Sequence, residues 1–393
     1  MDITIQPQKL HGHVTAIPSK SQAHRLLICA AFADKPTELI CPETNRDIAA
    51  TAGCLSAFGA DITRTENGYR IIPISNLPQT AELDCCDSGS TLRFLLPVAG
   101  ALGIDTTFCL SGRLPQRPLS PLWEEMERMG CRLSRPTPDT IRCQGKLHPG
   151  RFEINGGVSS QFITGLLLAT ALLSGNSQII LTGKIESLPY VKMTQAAMAL
   201  FGVNTVDYNV AGGQQFSSPG TITVEGDWSN GAFFLAASAL GSQVSLENLN
   251  NNSPQGDRTV AELLPKLESF CEISAADIPD LVPILSVVAA ANSGAVFNEI
   301  ARLRLKESDR VSSVCAMIRG LGGKCDAAEN SLTVYGTGLR GGIIDAQNDH
   351  RIAMSAAIAA TVCTQPVTIL GAECVNKSYP SFWDIYRQLG GLL

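Results

Sequence analysis

Hydrophobic and polar positions along the chain alternate in a long, regular pattern. Six short segments are apolar on every face. They begin near Lys20 (SKSQAHRLLICAAFA), Gly89 (SGSTLRFLLPVAGAL), Ser160 (SSQFITGLLLATALL), Ser229 (SNGAFFLAASAL), Pro279 (IPDLVPILSVVAAA) and His350 (DHRIAMSAAIAATVC). Their start-to-start spacings are 69, 71, 69, 50 and 71 residues. A helix that is apolar all round must be buried. After each comes an ordinary amphipathic segment with charges on one face, such as PLWEEMERMG or RVSSVCAMIRGLGG. Most of these stop at an apolar residue followed by glycine: Gly59, Gly130, Gly202, Gly322, Gly390. Glycine just past the last turn is a common helix cap. Short alternating segments around a polar turn follow, as in ADITRTENGYRIIPI, and read as hairpin strands.

The unit is therefore buried helix, amphipathic helix, strands, occurring six times. This predicts an α/β protein of two domains, each of three repeated units with buried helices surrounded by sheets. The sixth unit ends at Leu393 with no room for strands, and the N-terminal segment ITIQPQKLHGHVTAI could supply them. One domain should span 15–225. The other should be discontinuous, 1–14 plus 226–393, with crossings near 14–19 and 224–228.

Composition narrows the function. Apolar residues are 45% of the 393, and charged residues only 17%, against about 25% in typical domains. Disorder is excluded. A net charge of −6 and 6% aromatics argue against a nucleic-acid binder. The thirteen cysteines show no C-x-x-C spacing, and the five histidines form no H-x3-H or HExxH pattern, so no metal site is expected. Scattered lone cysteines fit a reducing cytoplasm. The start, Met1-Asp2-Ile3-Thr4, has no signal-peptide character. The longest apolar runs, Leu166–Leu173 and Leu281–Ala291, fall short of the ~18–20 residues of a membrane span.

Polar residues open each apolar helix. Capping accounts for Ser19, Ser88, Ser159 and Asp349. It does not account for Lys20, Arg25, Arg93 and Arg351, because a cation at the positive end of a helix dipole is unfavourable without an anion beside it. Free N–H groups, the dipole and a basic side chain together make an anion site. Gly89, within Ser88-Gly89-Ser90-Thr91, lets backbone approach a ligand closely. Further basic residues stand at element edges: Arg113, Arg117, Lys306, Arg310 and Lys377. Glu307 and Arg310, three apart, could share one helix face.

The segments P18-S-K-S-Q-A-H-R25, S159-S-Q161, D277-I-P-D280, K306-E-S-D-R310, N348-D-H-R351 and N376-K377 resemble, in order and across nearly the whole chain, the motif set of the 5-enolpyruvylshikimate-3-phosphate synthase family. The resemblance implies the enolpyruvyl transferase fold, an inside-out α/β barrel in each of two domains, joined by a two-strand hinge and closing on a cleft. It implies transfer of the enolpyruvyl group of phosphoenolpyruvate to the 5-hydroxyl of shikimate 3-phosphate, by addition and then elimination, with phosphate released. No metal, cofactor, nucleic acid or membrane is implied, and the family is usually monomeric. By the same resemblance, Lys20, Gly89, Arg117, Gln161 and Lys377 hold the phosphoenolpyruvate phosphate. Arg310 and Arg351 hold its carboxylate. Ser21, Arg25, Ser159, Ser160, Ser187 and Lys306 hold shikimate 3-phosphate, while Arg93 and His350 complete the substrate-binding set. The catalytic group is Asp280 as base for the 5-hydroxyl, Glu307 as proton shuttle at the methylene carbon, and Lys20 assisting phosphate departure.

The chain departs from the pattern in places. Asp87-Ser88-Gly89-Ser90 stands where Asn-Ala-Gly-Thr is frequent, His24 replaces a common Asn, and Arg302 occupies a position that is often Asn. A sister reaction on UDP-N-acetylglucosamine uses the same fold, but with Lys-Asn where this chain has Lys20-Ser21. A binding protein that has lost the chemistry would not need Lys20, Asp280, Glu307, Arg310, Arg351 and Lys377 together.

Overall fold

The computed structural model describes residues 1–393. Helices of two kinds alternate. The buried kind comprises α1 (Lys20–Ala31), α3 (Gly89–Leu102), α5 (Ser160–Ala171), α7 (Trp228–Ala239), α9 (Val282–Ala291) and α11 (His350–Ala359). Between them come α2 (Arg46–Ala57), α4 (Leu122–Arg128), α6 (Leu188–Leu200), α8 (Val260–Lys266), α10 (Arg310–Gly320) and α12 (Phe382–Gln388). All ten residues of α11 are buried, whereas the charges of α4 face outward except for Glu125. The five glycines that follow an apolar residue hold φ between 78° and 111°, a range closed to most side chains.

Five of the six buried helices open on a side-chain cap. Ser19, Ser88, Ser159, Asp227 and Asp349 accept from the backbone N–H two or three residues on. Helix α9 does not. It starts at Val282 with Pro283 in its first turn, and Asp280 stays outside the helix, its carboxylate taken by ion pairs instead of a cap.

Strands repeat as well. Thr80–Asp84 runs parallel to Asp105–Cys109, which pairs with the second arm of a hairpin, Cys131–Ser134 and Thr140–Gly145. Because the first two are parallel, the chain must cross over between them, and α3 is that crossover. The same four-strand order recurs at 151–210 and 271–335. The N-terminal segment divides between two units. Ile3–Ile5 pairs with Val367–Leu370 of the sixth repeat, as expected, but His11–Thr15 pairs with Gln243–Glu247 of the fourth.

Two compact units result: Met1–Ile17 with Glu225–Leu393, and Pro18–Val224. The crossings are set by hydrogen bonds. Asp227 donates its N–H to Ile17, tying it to the discontinuous unit, and Val224 donates to Ile40 in the continuous one. Each unit has its own apolar core, one around Leu285, Val288, Met354 and Phe382, the other around Leu95, Phe162, Leu167 and Phe201. No helix is long and apolar enough to cross a membrane, and all thirteen cysteines are unpaired.

Candidate active site

The expected residues fall into two sets, one per unit, some at the starts of buried helices and others in the loops and turns between elements. In the continuous unit the starts of α1, α2, α3 and α5 are linked by side chains. Lys20 Nζ donates to Asp47 Oδ2 of α2 at 3.0 Å. Arg93 Nη1 donates to Gln161 Oε1 at 2.7 Å, and Gln161 Nε2 donates to Ser90 Oγ at 3.0 Å. Gly89 lies beneath two guanidiniums. A Cβ there would sit 2.7 Å from Arg117 Nη1 and 2.9 Å from Arg93 Nη1. A helix N-terminus that opens on glycine under two arginines, with Gln161 alongside, is suited to a phosphate. The α3–α5 approach that sets Arg93 also needs a glycine, since a Cβ on Gly165 would collide with Arg93 O. Ser159 caps α5, Ser160 is its first residue, and Ser21 lies in the first turn of α1.

Arg25 has a bracing role beside the ligand contact expected of it. It is 2% exposed, and four of its five donors are engaged: Nε to Thr194 Oγ1, Nη1 to Ser21 O, and Nη2 to Tyr190 O and Thr164 Oγ1. It braces α1 against α5 and α6. Burial pulls it down to about 10, still charged at neutral pH. Ser187, just before α6, is buried with φ 56°.

His24 shows what replaces the common Asn. Its Nδ1 meets Thr51 Oγ1 at 2.7 Å, Thr51 meets Thr91 at 2.7 Å, and Thr91 donates to the α3 cap, Ser88 Oγ, at 2.8 Å. A chain of side-chain hydrogen bonds thus runs from α1 through α2 to the start of α3. Burial, then Lys20 and Arg25, hold His24 well below the usual histidine range. The unfolded chain therefore takes up a proton below about pH 6.5 that the folded chain refuses, so stability falls as pH drops from there towards the folded-state value. The thermal midpoint should fall more steeply between pH 7 and 5 in the parent than in His24→Asn. Parallel slopes would remove His24 from the acid response.

In the discontinuous unit the site is a web of opposite charges. Arg310 is wholly buried. It donates from Nη1 to Asp280 Oδ1 (2.7 Å), from Nη2 to Glu307 Oε2 (2.7 Å) and from Nε to Asp349 Oδ2 (3.0 Å). Arg351 Nη2 donates to Asp280 Oδ2 at 2.8 Å. One carboxylate therefore bridges two guanidiniums. Burial pushes Asp280 up, but Arg351, Lys306 and Arg310 outweigh it, and the carboxyl stays far below the ordinary range. Lys306 is pulled down to about 8 by burial, Asp280 opposing and Arg302 adding to the effect. Glu307 and Arg310 do meet, but not on one helix face, because α10 begins only at Arg310 and Glu307 lies in the bend before it. His350 is the first residue of α11, buried at 1% exposure, and Lys377 ends a 3-10 turn, also buried.

Two acids were not singled out by the sequence, Asp47 and Asp257, and a third, Asp349, was read only as a cap. Asp47, Asp349 and Asp257 are each at most 5% exposed, and the first two are the counter-ions of Lys20 and Arg310. Each follows Asn, Arg or Gly in a polar run that reads equally well as capping or loop.

Comparison with known proteins gives the family. The chain matches the family model of EPSP synthase (3-phosphoshikimate 1-carboxyvinyltransferase) over residues 5–277 and 265–386. It is 37% identical to the 3-phosphoshikimate 1-carboxyvinyltransferase of Clostridium kluyveri, covering 99% of this chain and 97% of that protein. The Clostridium beijerinckii protein of the same name is 35% identical over 100% of this chain and 98% of its own length. The structure of EPSP synthase from Acinetobacter baumannii has the same fold, with a TM-score of 0.81 at 24% identity, covering 99% of this chain and 98% of that one. Fold and charge layout define an α/β enolpyruvyl transferase. The chain belongs to the EPSP synthase family, and the reaction is enolpyruvyl transfer from phosphoenolpyruvate to shikimate 3-phosphate.

Proposed function

We propose that the two sets of side chains divide this reaction between them. The continuous unit takes the phosphates: Lys20, Arg117, Gln161 and the Gly89 end of α3 hold that of phosphoenolpyruvate, while Ser21, Ser159, Ser160 and Ser187 hold shikimate 3-phosphate, with Arg25 fixing their helices. The discontinuous unit takes the carboxylate and the proton transfers. Arg310 and Arg351 bind the phosphoenolpyruvate carboxylate, and Lys377 and Lys306 add charge to the phosphate and shikimate sides. The single observation that carries this is the Asp280 carboxylate bridging Arg310 and Arg351 at 2.7 and 2.8 Å. Two arginines poised on one carboxylate are equipped to accept another.

In the addition step the 5-hydroxyl oxygen bonds to C2 of phosphoenolpyruvate, its proton passes to Asp280, and C3 gains a proton from Glu307. In the elimination step Glu307 recovers a C3 proton, the C2–O bond to phosphate breaks, and Lys20 offsets the charge on the leaving group. No cofactor enters, and we infer a cytoplasmic monomer from the resemblance alone.

The test is phosphate release on mixing protein, shikimate 3-phosphate and phosphoenolpyruvate, with UDP-N-acetylglucosamine as the control acceptor. Release with the control but not with shikimate 3-phosphate would overturn the proposal. Lys20→Ala should lower turnover by roughly 10²-fold or more, the scale of one lost acid group. Near-normal release would take Lys20 out of the chemistry.

A further inference from the structure

One buried acid lies outside the motif set and outside the mechanism above. Asp257 sits in the 3-10 turn Gly256–Thr259 ahead of α8, 1% exposed. Its Oδ2 accepts from Ser229 Oγ in the first turn of α7. Its Oδ1 is buried with no hydrogen-bond partner, and the side chain has no ion pair. The charges that act on it electrostatically are Asp280 from the turn before α9, Arg351 of α11, and Asp227, which caps α7. A buried carboxylate with one oxygen lacking a hydrogen-bond partner is costly, and the usual resolution is to take up a proton. Neighbouring carboxylates push the same way.

We propose that Asp257 is a positioning residue of this reaction that carries a proton in the free enzyme, and that its ionisation strengthens the hold of acids on Arg351 and so weakens Arg351's grip on the substrate carboxylate. This rests on the assignment of Arg351 to that carboxylate. The proton balance is simple. Protonated, Asp257 donates its O–H to Ser229 Oγ. Ionised, it accepts from the Ser229 hydroxyl, and the proton leaves to solvent past Ser229, which is only half-buried. Burial, then Asp280, push Asp257 up to about 7, with Arg351 opposing. Asp280 is held low by Arg351, Lys306 and Arg310. Acids in one cluster whose titrations are driven apart are suited to different tasks.

Asp257→Asn keeps the shape and is always neutral. In the parent, the KM for phosphoenolpyruvate should rise about 3–10-fold from pH 6 to 8.5, the effect of a charge coupling of up to one pKa unit. Asp257→Asn should hold the parent's low-pH KM until Lys306 titrates, a change common to both proteins. Superimposable KM profiles would overturn the positioning role. A second readout needs no turnover. Infrared difference spectra between pH 6 and 8 should show the carbonyl stretch of an un-ionised carboxylic acid disappearing in the parent and absent from Asp257→Asn. Its absence from the parent at pH 6 would overturn the proton assignment even if phosphate release succeeds. If Asp257→Asn does not fold, Ser229→Ala keeps the acid and removes its donor, and should move the disappearance of the band to higher pH. An unmoved band would sink the Ser229 route.

Discussion

Asp280→Asn is expected to lower turnover by roughly 10²–10⁴-fold while lowering, or leaving unchanged, the KM for phosphoenolpyruvate. The two signs differ because Asp280 does two things. As a carboxylate it can take the proton of the 5-hydroxyl, which an amide cannot. In the free protein it also bridges Arg310 and Arg351, the groups assigned to the substrate carboxylate. Arriving substrate must compete with it, and the amide competes less well. Arg310 keeps Glu307 and Asp349 in the variant, so the fold should persist. Steady-state kinetics with phosphoenolpyruvate as the varied substrate separates the two effects. A raised KM with unchanged turnover would make Asp280 a binding residue only. The pH dependence follows as well. The folded-state value is depressed, so Asp280's contribution to stability is present above the unfolded value of about 3.9 and is lost as pH falls below it. No acid limb near neutrality should come from this residue.

How far the sequence reached depended on how local the signal was. The six buried helices were legible because nothing else makes a ten- to fifteen-residue segment apolar on every face, and glycines such as Gly202 and Gly322 marked ends that do hold positive φ. Cations at helix starts were legible as a violation: Lys20 and Arg351 stand where the helix dipole disfavours them. What escaped is non-local. Asp47 answers Lys20 from 27 residues away, and Asp349 answers Arg310 from 39. Each reads locally as an unremarkable acid at a helix start. The N-terminal strands were assigned together because they are contiguous, but the seam between Ile5 and His11 sends one to the sixth repeat and the other to the fourth. Arg25 carries a task that its position in a motif does not announce: four of its donors run inward to hold three helices.

Asp349→Ala should cost about 3–5 kcal/mol of stability, the range for removing one partner of a buried ion pair. Asp349 is 0% exposed, and so is the Arg310 it serves. Its Oδ2 accepts from Arg310 Nε and Ser308 Oγ, both at 3.0 Å, and its Oδ1 caps α11 through Arg351 N–H at 3.0 Å. Alanine removes the counter-ion and the cap together. A lost cap alone is worth about 0.5–2 kcal/mol, and the two losses share one side chain, so they do not simply add. Asn at this position caps well but is neutral, so Asp349→Asn should fall between parent and Asp349→Ala. The separate cores make the effect assignable. Trp228 and Trp383 report on the discontinuous unit and Trp123 on the continuous one. In denaturant, the transition seen by Trp228 and Trp383 should move to lower concentration, while that seen by Trp123 in a Trp228→Phe, Trp383→Phe background stays put. A loss below about 1 kcal/mol, the level of a surface pair, would mean that Glu307 and Asp280 alone suffice for Arg310. The arginine assigned to the substrate carboxylate would then be held by the groups assigned to proton transfer, instead of being anchored by an acid outside the proposed chemistry.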